Sequence, residues 1–98
     1  MAERHRVRCV DKTDWTSYDD RIRRIGGTNS VGVNWRLTHE EAIAAIEARR
    51  WDFYVERASG IVDVIVAISR FGNKYLKTTA DADEPTDLLA LPDCLQPG

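Results

Sequence analysis

The sequence predicts an α+β fold: a single antiparallel β-sheet of five or six strands with one amphipathic helix packed on one face, in the order β-β-β-α-β-β-β. Three observations predict it. One segment carries a helix-start signal followed by an apolar stripe at helical spacing. Segments on both sides of it alternate with a period of two. The links between most of those segments have hairpin length, which favours antiparallel neighbours.

The helix signal is Thr38-His-Glu-Glu41. Thr at the N-cap and Glu three residues later form a capping box, each side chain satisfying a backbone N–H that the first turn leaves unpaired. Glu40 and Glu41 also suit the positive end of the helix dipole. Ala42, Ile43, Ala45 and Ile46 follow on one stripe, and Arg49 and Arg50 stand at the negative end, so the helix is placed at 39–50.

The strands follow from alternation. Residues 6–12 set Val7 and Cys9 on one face against Arg6 and Arg8 on the other. Residues 13–20 are polar and Asp-rich and read as a loop that carries Trp15 and Tyr18. Arg21 to Ile25 forms a second strand, closed by Gly26-Gly27 and a turn through Thr28–Gly32. Val33 to Leu37 is the third, with Val33, Trp35 and Leu37 on one face and Trp35 as the core anchor. After the helix, Trp51 to Arg57 returns to period two, and Ala58-Ser-Gly60 is a hairpin loop. Residues 61–68 are rich in β-branched side chains, with Val62, Val64, Val66 and Ile68 pointing inward. Residues 70–74 read as a turn and Tyr75 to Thr78 as the last strand. Beyond it the composition becomes acidic and proline-containing.

This gives one compact domain over residues 1–80 and an acidic tail over 81–98, partly docked through Leu88, Leu89 and Leu91 or disordered. The formal net charge of −2 is unevenly spread: all 14 Lys and Arg lie at or before Lys77, and five acids without a base follow it. The body's small positive excess is modest for a dedicated nucleic-acid binder. The longest apolar run, Ile61 to Ile68, is strand-sized and interrupted by Asp63, too short to span a bilayer. The N-terminus lacks the apolar stretch of a signal peptide, so a cytoplasmic location with no membrane partner is expected. In that compartment Cys9 and Cys94, at opposite ends of the chain, are expected to be free thiols.

Several segments resemble a known family. Val7-Arg-Cys-Val-Asp-Lys-Thr-Asp14, Ile25-Gly-Gly27, Trp35-Arg-Leu-Thr-His-Glu-Glu-Ala-Ile43, Phe53-Tyr-Val55, Val62-Asp-Val64, Arg70-Phe-Gly-Asn-Lys-Tyr-Leu-Lys-Thr78 and Leu88-Leu-Ala-Leu-Pro-Asp-Cys94 are similar to a group of short bacterial proteins, domain of unknown function 3892. The resemblance runs from about Val7 to Cys94. It implies a single compact bacterial domain and brings with it no activity, cofactor or catalytic residue.

Function is weakly encoded. Arg6, Arg8, Arg23, Arg24 and Arg36 fall on the first three strands, and Tyr54 and Tyr75 are expected near them. Guanidinium groups that contact phosphates beside aromatics that stack bases suit single-stranded nucleic acid. The competing reading is a solvated face with its arginines paired to acids. Gly26-Gly27 with Thr28 and Asn29 reads as a plain turn, the alternative being an anion-binding nest, and neither phosphate-loop nor dinucleotide fingerprint fits. The acidic run Asp81 to Asp87 lacks the glycine and distal glutamate of a calcium loop and reads as a solvated tail. His5 lies near a frayed end and His39 in an exposed first helical turn, so no metal site is expected. No cofactor is expected either. Cys9 points into the core and Cys94 has nothing visible to activate it, which makes an enzyme less expected than a binding protein. Trp15, Tyr18 and Trp51 are packing or interface residues, more aromatic surface than so small a core requires. The reading is therefore a small non-enzymatic interaction module for protein–protein association or self-association. Weak single-strand binding through the arginine face is the alternative, and a small enzyme comes third.

Overall fold

A computed structural model describes residues 3–12, 21–28, 31–81 and 85–94. The expected loop over residues 13–20, with Trp15 and Tyr18, lies outside the described residues.

Among the described residues seven strands and two helices follow one another: β1 (Glu3–Arg6), β2 (Cys9–Lys12), β3 (Ile22–Thr28), β4 (Asn34–Thr38), α1 (His39–Glu47), β5 (Trp51–Arg57), β6 (Gly60–Ile68), β7 (Lys74–Thr78) and α2 (Thr86–Leu89). The α+β class holds, with one main helix, but the strands form two sheets rather than one. One has the order β1-β5-β6-β7 and the other β2-β3-β4. The single antiparallel sheet expected from the hairpin-length links fails in a second respect, since β1 pairs with β5 in parallel. The cause is at the first strand. The Val7 N–H donates to the Tyr54 carbonyl at 2.8 Å, and the next N–H, of Arg8, donates to the Gly26 carbonyl at 2.8 Å. Successive amides of a strand point to opposite sides, so a chain lying between two neighbours can hand itself from one sheet to the other.

Gly26 and Gly27 are where that transfer takes place. They were expected to end β3, yet both lie buried inside it. A Cβ on Gly27 would stand 2.3 Å from the Arg6 carbonyl oxygen, and one on Gly26 would stand 2.9 Å from the Trp35 carbonyl oxygen. The glycines therefore serve close backbone approach, not a turn. On the same strand, Asp11 pairs with Arg24 and Lys12 with Ile22, which leaves Arg23 as the extra residue of a bulge.

Helix α1 packs on both sheets, against β3 and β4 of one and β5, β6 and β7 of the other. Ala42 and Ile43 are buried, and Ile46 packs against the core from a half-buried position. The capping box forms as expected: the Glu41 N–H donates to Thr38 Oγ1 at 3.1 Å, and the Thr38 N–H donates to Glu41 Oε1 at 2.9 Å. The helix ends at Glu47, three residues before the expected boundary, because Arg49 takes a left-handed φ of 58°. Its N–H donates to the Ile46 carbonyl and that of Arg50 to the Ala45 carbonyl, the paired bonds of a Schellman close. That position favours glycine, so Arg49→Gly should raise stability by about 1 kcal/mol, read as a higher denaturant midpoint.

The core centres on Phe53, Ile25, Leu76, Val7 and Val10. Each fully buried side chain of this kind contributes about 1.5–3 kcal/mol. Trp35, expected as the core anchor, is only half-buried and packs on the core's margin, while Phe53 is 1% exposed. Strand β6 runs where expected with Val64 inward, but Ile68 at its end is exposed rather than buried.

Residues 85–94 complete the core. Leu88 of α2 is fully buried, and two acids of the expected solvated tail are structural. Asp87 Oδ2 accepts from Thr78 Oγ1 at 2.7 Å and from Arg57 at 3.3 Å. Asp81 accepts from the N–H groups of Thr78 and Asp87. His39, expected to be exposed, is half-buried, and its Nε2 accepts the Leu76 N–H at 3.1 Å. Together His39 and Asp81 occupy outward N–H groups of the edge strand β7, which would otherwise be open to pairing with another chain. The largest departure from expectation is covalent: Cys9 and Cys94 are joined in a disulfide instead of being free thiols. Cys9 and Cys94 meet in space although they stand 85 positions apart in sequence.

Candidate interaction site

Rings from three strands converge where the two sheets meet. The parallel register of β1 on β5 sets Glu3 opposite Trp51 and His5 opposite Phe53, so His5, Trp51 and Phe53 share one face. Trp35 reaches the same place from β4. His5 and Trp51 have ring centroids 4.1 Å apart, Trp35 and Phe53 5.4 Å, and Trp35 and Trp51 5.7 Å in an edge-to-face arrangement. Such geometries are favourable beyond their burial by about 0.5–1.5 kcal/mol each. The indole N–H of Trp35 is buried and unpartnered among the described residues. His5, placed near a frayed end by its sequence position, has a side chain only 13% exposed.

Trp51 forms one wall of an open groove of about 410 Å³, lined also by Leu37 of β4, by Glu41, Ala44 and Ala45 of α1, by Ala48 at its C-cap, and by Arg50. The small side chains of α1 keep the groove open, and Leu37 belongs to an edge strand of the three-stranded sheet. Its charged residues stand at Glu41, which is held in the helix cap, and at Arg50. The arrangement suits an apolar side chain or a short apolar segment.

The arginines are divided between the sheets. Arg6 and Tyr54 are register partners in the four-stranded sheet, where Arg6 pairs with Glu56 at 2.9 Å. Arg4 stacks over the Tyr54 ring at 4.9 Å and pairs with Asp63 at 3.0 Å. Arg24 and Arg36 belong to the other sheet. Arg24 stands 3.8 Å from Asp11, and Arg36 donates to the Cys94 carbonyl at 3.1 Å. Arg8 and Arg23 are exposed, the first at the passage between sheets and the second at the bulge. Tyr75 is buried, at 3% exposure. Among the described residues no group of three or more His, Cys, Asp or Glu is placed to hold a metal ion, and no helix is long and apolar enough to cross a membrane.

The model of the family described as protein of unknown function DUF3892 matches residues 6–92. The chain belongs to the DUF3892 family. No curated protein matches it, and no solved structure does. The DUF3892 match spans every strand from β2 to β7, both helices and the groove, and it stops just short of Cys94. Sequence reasoning singled out Trp51 but missed His5, Trp35 and Phe53 as its partners. The only local signal was the aromatic or apolar residue at every second position of β4 and β5, and alternation alone does not say which strands meet.

Proposed function

We propose that this DUF3892 protein is a non-enzymatic interaction module that binds an apolar segment of a protein partner in the groove between α1, β4 and the start of β5. One observation carries this: Trp51, backed by the rings of His5, Trp35 and Phe53, is half-buried and leaves part of its surface in a groove of small and apolar residues. A rigid aromatic anchor beside an open pocket is the usual centre of binding energy in an interface. The nucleic-acid alternative draws less support, because Arg6, Arg24 and Arg36 engage acids or a carbonyl and Tyr75 is buried. An enzymatic reading would need a base in the groove, where Glu41 is committed to the helix cap. Self-association through the same groove is a form of the proposal.

Selection from a random peptide library, together with sedimentation of the chain alone, tests it. Ala44 is exposed in the middle of α1, so Ala44→Arg should leave the fold intact while blocking the groove. Peptide binding, or self-association, should weaken at least about tenfold in Ala44→Arg and in Trp51→Ala. Affinity that neither variant changes would place the binding surface elsewhere.

The cytoplasmic location belongs with this proposal, and the disulfide bears on it, because such bonds are uncommon in reducing compartments. Alkylation of the thiols in intact cells before lysis reads the state directly. A fully oxidised pair would argue for an oxidising compartment.

A further inference from the structure

We propose that Cys9–Cys94 is a thiol–disulfide exchange site, a latch that a dithiol opens to release residues 91–94 from β2 while the rest of the domain stays folded. The C-terminal segment is attached in two separable parts. The first is α2, held by the buried Leu88 and by Asp87 on Thr78 and Arg57. The second is the stretch that follows. Its Leu91 is half-buried, and Pro92 and Asp93 are exposed, so it adds little apolar burial of its own. What holds it is the disulfide, the packing of Leu91 at the core's margin and a few polar contacts, a 3.6 Å ion pair of Lys12 with Asp93 among them. The Val10 N–H donates to the Pro92 carbonyl at 2.9 Å, and Lys12 Nζ donates to the Leu91 carbonyl at 2.8 Å. The Cys94 N–H donates to Asp11 Oδ1 at 3.1 Å, and Arg36 donates to the Cys94 carbonyl. Such contacts are individually weak when both partners can return to water.

The surroundings suit exchange. Cys9 is half-buried and Cys94 buried, so Cys9 is the more exposed partner of the pair and the one an outside thiolate attacks. The Cys9 sulfur and the stem of Arg36 both crowd over Gly26, at 3.0 and 3.1 Å from where its Cβ would be. The Arg36 guanidinium on the Cys94 carbonyl places a positive charge beside the segment that leaves, and the Asp11 carboxylate on the Cys94 N–H places a negative one. In the step itself a thiolate of the dithiol attacks Cys9 Sγ, the Sγ–Sγ bond breaks and Cys94 leaves as a thiolate. The second thiol of the dithiol then attacks its own mixed-disulfide sulfur and displaces Cys9. The protein disulfide gains two electrons and, from the dithiol, two protons, and the dithiol becomes a disulfide. The released stretch uncovers the outer edge of β2.

The test is titration of the oxidised full-length chain with dithiothreitol at neutral pH without denaturant, with thiol counting and amide hydrogen exchange. Two thiols should appear while the amides of β5 and α2 keep their protection. Exchange at Val10 and Cys94 should accelerate at least about tenfold. The double variant Cys9→Ser, Cys94→Ser should show the same pattern without reductant, and if that variant does not fold, the dithiothreitol titration still decides. Three results would each overturn the latch: thiols that appear only in denaturant, loss of protection throughout the core on reduction, or unchanged exchange at Val10 and Cys94.

Discussion

Gly27→Ala should destabilise the protein by on the order of 3–5 kcal/mol, although it adds a single methyl group. The methyl would stand 2.3 Å from the Arg6 carbonyl oxygen and 3.1 and 3.2 Å from two ring atoms of Trp35. The nearest atom is backbone at the end of β1, so no side-chain rotation relieves the clash. Moving that backbone would break the bonds from Val7 to Tyr54 and from Arg8 to Gly26, by which the chain passes from one sheet to the other. Gly32→Ala is the control. Nothing lies within 4 Å of a Cβ there, and its φ of +86° alone sets a cost of about 1 kcal/mol. Urea unfolding of the two variants measures the difference. Equal losses would mean that β1 and β3 do not cross at Gly27.

Phe53→Ala should cost about 3–5 kcal/mol, a large share of the roughly 5–10 kcal/mol expected for a domain of this size. Phe53 is 1% exposed and touches rings on two other strands, so its removal leaves a cavity that rigid neighbours cannot fill. Phe53→Leu keeps most of the volume and should cost less than about 1.5 kcal/mol. The same cavity lets Trp51 relax, so Phe53→Ala should also weaken whatever binds the groove, beyond the effect of stability. The unfolding midpoint and the tryptophan emission of the native state check both parts. A loss under about 1 kcal/mol would show that the ring cluster is not the centre of the core.

The contrast between these two positions shows what was legible in advance. The alternation over residues 51–57 set Phe53 and Val55 on one face, and the structure buries both. Gly26-Gly27 gave the wrong reading. Two adjacent glycines look the same whether they turn a chain or let another backbone pass, and the difference lies in Arg6 and Trp35, distant in sequence. The acids after Thr78 misled for a like reason. Asp81 and Asp87 look solvated until β7 and Arg57 arrive to donate to them.

The one strand read over residues 6–12 is two, β1 and β2, in different sheets. By itself the sequence determined the start of α1, the approximate place of β3 to β7 and the face of α1 that is buried. These rest on capping, on period-two alternation and on the helical stripe, all settled among residues a few positions apart. The tertiary structure alone decided that the strands divide into two sheets, that β1 runs parallel to β5, that four rings share one site beside a groove, and that Cys9 meets Cys94. Each of these joins segments far apart along the chain, where local preference is indifferent and the choice falls to the packing of the whole core.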